Sequence, residues 1–139
     1  MPPSLQLNIL RGNQVVWLAD GLVTLHGYVR KLDGVCRELG VAALSSFFDT
    51  TTHDADLDEL DLLIDDGAHL AERGAWHDAA GLLATLQALH QELAARPRRF
   101  GLLSNNYPQV LDELTRCLAA LEPVAAAGAS LQAHLLVVG

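Results

Sequence analysis

Apolar and polar residues alternate from Ser4 to Leu10, with Leu5, Leu7 and Ile9 on one side and Gln6 and Asn8 on the other. That period of two predicts a short strand, and Gly12-Asn13 reads as the turn that ends it. The period then lengthens. Leu18, Leu22, Leu25, Val29, Leu32, Cys36 and Leu39 are spaced by alternating steps of four and three, which predicts one long amphipathic helix closing at Gly40. Gly21, Gly27 and Gly34 fall inside it; each either admits a closely packed neighbour or costs roughly 1 kcal/mol relative to alanine.

Val41 to Thr52 breaks the helical pattern, and Phe47-Phe48 is expected to plug one end of the core. A second helix is predicted with Leu57, Leu60, Ile64, Ala68 and Ala71 facing inward, stopping at Gly74. Asp78 has the character of an N-cap for a third, because its carboxylate can accept from an amide freed at a helix start. That helix buries Leu82, Leu86, Leu89 and Leu93 and must end before Pro97, since a residue preceding proline disfavours the helical region. A loop over 96–106 leads to a fourth helix with Pro108 in its first turn and Leu111, Leu114, Leu118 and Leu121 on its core side. Pro123 is expected to break or kink it, with Gly128 closing the alanine-rich remainder. Leu131 to Val138, with a single His134, reads as a closing strand. The predicted fold is therefore α+β and mostly helical: one domain over 1–139, about four amphipathic helices packed on a small sheet formed by the N- and C-terminal strands.

Composition narrows the function classes. The 139 residues are 50% hydrophobic and 19% charged, with a net charge of −8. Disorder is disfavoured by the first two figures, and nucleic-acid binding by the third. The N-terminus lacks the basic and apolar regions of a secretory signal, and the charge-free stretch 123–139 is too short and too polar to span a bilayer. The expectation is a cytoplasmic protein without a membrane partner. Two cysteines, Cys36 and Cys117, make no disulfide framework and read as buried thiols.

Leu44-Ser45-Ser46-Phe47-Phe48, the stretch from Trp76 to Leu82 (W-x-D-x-x-G-L), Val110 to Leu114 and Leu131 to Leu135 together resemble a group of small uncharacterised bacterial proteins. The likeness covers roughly the last two-thirds of the chain by motif spacing. It implies a bacterial origin and carries no activity, cofactor or site residue.

Charge is strongly segregated. Residues 49–78 hold ten acids and one base, a balance of −9, while the other 109 residues balance at +1. Asp54, Asp58, Asp61 and Asp65 share one helical face, and Asp66 lies beside them. Like charges at that spacing oppose a helix by roughly 0.2–0.5 kcal/mol per pair. A solvated face that maintains solubility accounts for such a stripe. The functional reading is an electrostatic docking surface for a basic protein, similar in charge and size to immunity proteins and antitoxins that occlude a cationic enzyme. Arg96, Arg98 and Arg99 form a basic patch that serves either as a helix C-terminal cap or as a second contact surface, and pairing it with the acidic segment of another copy would give a homodimer.

The competing reading is a divalent-metal or small-ligand site at Asp65, Asp66, His69 and Glu72, with or without catalysis. A calcium loop starting at Asp54 fails at Glu59, where glycine is needed, and at Asp65, where a bidentate glutamate is usual. No HExxH, GxSxG or phosphate-loop spacing occurs, so the sequence names no catalytic residue and no cofactor. His26 and His90 read as hydrogen-bonded residues at the core edge, and His77 as part of a helix entry.

Overall fold

The computed structural model describes residues 3–51, 68–127 and 131–139. The alternating N-terminal segment forms β1 (Ser4–Arg11), which turns at Gly12 (φ 63°) into an antiparallel β2 (Gln14–Leu22). A positive φ favours glycine at this turn, because a Cβ there crowds the backbone. Strand β2 corrects the long-helix expectation. Helix begins only at Val23, as α1 (Val23–Gly27), and resumes after a break at Tyr28 as α2 (Val29–Leu39). Leu18 and Leu22 matched the helical period, but Val15, Val16 and Trp17 directly after a two-residue turn are hairpin residues, and pairing with β1 decided the outcome. Among the described residues no atom outside the local chain lies within 4 Å of a Cβ built on Gly27 or Gly34, so none of them requires glycine there for a close approach.

A 3-10 turn (Leu44–Phe47) buries Leu44 and Phe47 and runs into β3 (Phe48–Asp49). Helix α3 (Ala68–Arg73) is followed by β4 (His77–Asp78) and by α4 (Ala79–Ala95), where the Asp78 carboxylate accepts from the Ala80 amide at 3.1 Å as expected. Helix α5 (Tyr107–Ala126) continues three residues past Pro123 rather than breaking there. The chain closes with β5 (Gln132–Val138).

The two terminal strands pair antiparallel, Leu5 opposite Val137 and Leu7 opposite Leu135. The far edge of β5 is shared by β3, running parallel, and β4, running antiparallel. The order is β2-β1-β5-β3, a small mixed sheet in a mostly helical α+β fold. Helices α4 and α5 pack on each other and cover the apolar face, so Leu5, Leu7, Ile9, Ala133 and Leu135 share one core with Leu82, Leu86, Leu89, Leu93 and Leu114. The opposite face is closed as well: Gln6, Asn8 and His134 are buried. A sheet buried on both faces must satisfy any polar side chain it carries.

Candidate functional site

Strand register places Asn8 opposite His134, and β3 delivers Asp49 to the other side of the same ring. His134 is fully buried and Asp49 nearly so. The His134 Nδ1 lies 3.1 Å from Asp49 Oδ2 and 3.3 Å from the Ala75 carbonyl oxygen, and its Nε2 lies 3.0 Å from Asn8 Nδ2. An amide nitrogen only donates, so Nε2 faces the Asn8 amide as acceptor, while Nδ1 faces the Ala75 carbonyl and Asp49. The approach to Asp49 is close, and His134 is the largest of the influences that lower the Asp49 carboxyl. Trp76 stacks on the imidazole with centroids 3.8 Å apart, and its indole N–H donates to the Leu70 carbonyl at 3.2 Å.

Asp49 Oδ1 accepts from both the backbone N–H and the hydroxyl of Thr51. Burial pushes the Asp49 carboxyl up, but contact with His134 and the two Thr51 bonds outweigh it and hold the group below its ordinary range. The cluster thus ties β1, β3, β5 and the segment before β4 into one unit. A histidine held by a carboxylate is the orienting half of an acid–base catalyst. Here both ring nitrogens are engaged, Trp76 covers one ring face and the ring has no solvent exposure, so the arrangement works as a structural clamp.

Gly74 completes the clamp by leaving space. A Cβ there would lie 2.6 Å from the Leu70 carbonyl oxygen, 2.8 Å from Asp49 Oδ2 and 3.1 Å from the Trp76 indole nitrogen. Gly74→Ala is therefore expected to destabilise by about 1–3 kcal/mol through overpacking. Urea unfolding would read this as a lower midpoint at unchanged slope; a midpoint equal to wild type would mean that Gly74 gives way without strain.

The second constellation is the loop between α4 and α5. Its base is firmly built: Phe100 is fully buried, edge-on to Tyr28, and its N–H donates to Asn105 Oδ1 at 3.0 Å. The same oxygen accepts from the Tyr107 amide, while Asn106 donates through its backbone to the Phe100 carbonyl and through its side chain to the Tyr28 hydroxyl. Arg99 donates to the Gly101 and Leu102 carbonyls at 2.9 and 3.1 Å, and Lys31 bonds the Arg99 carbonyl. Gly101 has φ 110°, and a Cβ there would fall 2.4 Å from the Ser104 carbonyl oxygen, so the turn requires glycine. At the tip Leu102 and Leu103 are 95% and 102% exposed.

The predicted site residues are distributed as follows. Arg96 pairs with Glu92 one helical turn back, Arg98 with Glu38 at 3.0 Å, and Arg99 braces the loop. Asp54, Asp58, Asp61, Asp65 and Asp66 lie outside the described residues, as do Leu57, Leu60, Ile64 and Gly128. His69 belongs to α3, and Glu72 is exposed on it. Among the described residues no group of three or more His, Cys, Asp or Glu side chains gathers as a metal site, and no helix is long and apolar enough to cross a membrane. Cys36 and Cys117 are buried free thiols, with burial pushing Cys117 up to about 12. His90 bonds Thr115 at 3.1 Å, and His26 stacks on Phe48.

Sequence reasoning missed the clamp because its members come from widely separated segments, with Asn8 and His134 lying 126 positions apart. A usable signal was present in Asn8 and His134, each a polar residue inside an apolar strand run. No protein family, curated protein or solved structure matches the chain.

Proposed function

We propose that this chain is a non-enzymatic bacterial interaction module that acts in the cytoplasm, its acid-rich segment docking on a basic protein partner in the manner of an immunity or inhibitor protein. The observation that carries this reading is the segregation of charge: a balance of −9 over residues 49–78 against +1 over the remainder. A charge of one sign concentrated in a short segment steers encounter with a cationic surface and fixes orientation. The His134–Asp49 pair is buried with both ring nitrogens engaged, an arrangement in keeping with a structural role beside such a docking segment.

The test compares the wild-type chain with an Asp58→Lys, Asp61→Lys, Asp65→Lys variant as immobilised bait at low salt. A basic protein held by the wild type is identified, purified and titrated against both. The expected result is at least a tenfold loss of affinity on charge reversal and a similar loss on raising salt, since exposed charges are screened over about 8 Å at physiological ionic strength. Equal affinity for both chains would defeat the proposal.

A further inference from the structure

We infer that the loop between α4 and α5 docks the chain on an anionic lipid surface, with Leu102 and Leu103 entering the headgroup region and the cations at the loop's base meeting lipid phosphates. Two adjacent leucines in full contact with water are ordinarily a liability, yet here the chain around them is built to hold them. Buried Phe100, the Asn105 and Asn106 bonds, the Arg99 bridge and the constrained Gly101 fix the loop before anything binds. A surface ordered in advance loses less conformational freedom on association.

The choice of occupant rests on the chemistry beside the tip. Residues 93–111 hold three arginines and no acid. Arg96 and Arg98 are matched by Glu92 and Glu38, whereas Arg99 and Lys31, both exposed, have no carboxylate partner among the described residues. Both are held directly behind the leucines: Arg99 on the Gly101 and Leu102 carbonyls, Lys31 on the Arg99 carbonyl and 4.7 Å from the centroid of the Phe100 ring. These bonds use only part of each cation's donor set, and the remaining N–H groups can meet phosphate oxygens. Leucines at a tip with cations one step behind match the layering of a bilayer surface, where acyl chains lie beneath anionic headgroups.

A protein partner is a poorer fit. Two leucines offer far less than the roughly 800 Å² that each side of a stable interface contributes, and leucine is under-represented among the residues that dominate such interfaces. Charges are screened over about 8 Å at physiological ionic strength, so the surface senses the cations beside the tip rather than the net charge of −8. The expectation of no membrane partner rests on the lack of a spanning segment, and docking at a surface needs none. Lipid docking by this loop is independent of the proposed docking on a basic partner.

Flotation of the full chain with vesicles tests it, using phosphatidylcholine alone and an equal mixture of phosphatidylcholine and phosphatidylglycerol. Binding to the mixed vesicles is expected at low salt, weakening as salt rises and at least tenfold stronger than binding to phosphatidylcholine alone. Leu102→Ser with Leu103→Ser should lower it at least tenfold while leaving the melting temperature and circular dichroism unchanged. No flotation with the mixed vesicles, equal binding to both vesicle types, or binding indifferent to the leucines overturns the inference. So does a dimer in sedimentation velocity without vesicles that the double serine variant abolishes, because the leucines would then be covered by protein.

Discussion

Asp49→Ala is expected to cost about 2–3 kcal/mol of stability, the range for losing hydrogen bonds to a charged group and leaving its partners buried. For a domain of this size that corresponds to a fall of roughly 6–9 °C in melting temperature. The effect is large because one carboxylate serves several donors: the Thr51 amide and hydroxyl bond Oδ1, and the His134 ring faces Oδ2. Removing it strands these groups where water cannot replace it. Asp49→Asn preserves shape and one acceptor oxygen but removes charge, so a smaller loss is expected.

The difference between wild type and Asp49→Asn must also depend on pH, with a definite sign. The folded-state pKa of Asp49 lies below its ordinary value, so the unfolded chain takes up this proton first as pH falls. The stabilisation is thus complete well above the unfolded pKa of about 3.9 and is lost as pH drops through the folded pKa. Urea unfolding of both proteins from pH 7 downward should show a constant gap near neutrality that narrows below about pH 4. A gap that stays constant through the acid range would show that shape, rather than charge, is what Asp49 contributes.

The legibility of the fold followed the range of the interactions involved. Elements set by local chemistry were readable: the Asp78 cap, the stop before Pro97, and the apolar faces of α4 and α5 all depend on residues within a few positions of one another. The β2 segment misled because Leu18 and Leu22 satisfy a helical period, whereas its strand state is fixed by pairing with β1. The clamp was further out of reach. Asn8, Asp49, Trp76 and His134 converge only when β5 enters between β1 and β3. The basic loop was visible as a cluster of arginines; its braced shape and bare leucines were not, because the exposure of Leu102 and Leu103 depends on how the loop folds on Phe100, Asn105 and Asn106.

Glu113 provides the second large effect, by the same long-range logic. Helix α1 starts at Val23 without a capping side chain at Leu22, leaving its first amides unbonded by the helix itself. Glu113, reaching across from α5, accepts from the Leu25 amide at 2.9 Å and the Thr24 amide at 3.1 Å, one with each carboxylate oxygen. A carboxylate there also meets the positive end of the helix dipole. The side chain is buried, so no water stands ready to take over either bond. Glu113→Ala is therefore expected to cost about 2–3 kcal/mol. Glu113→Gln keeps one acceptor and loses the charge, and should cost about half as much. Hydrogen exchange locates the effect: the Thr24 and Leu25 amides should lose protection in the alanine variant before the amides of α4 do, because α1 is a single short turn whose first amides are bonded by this side chain. Uniform loss of protection across α1 and α4 would show instead that Glu113 supports the whole core rather than this helix end.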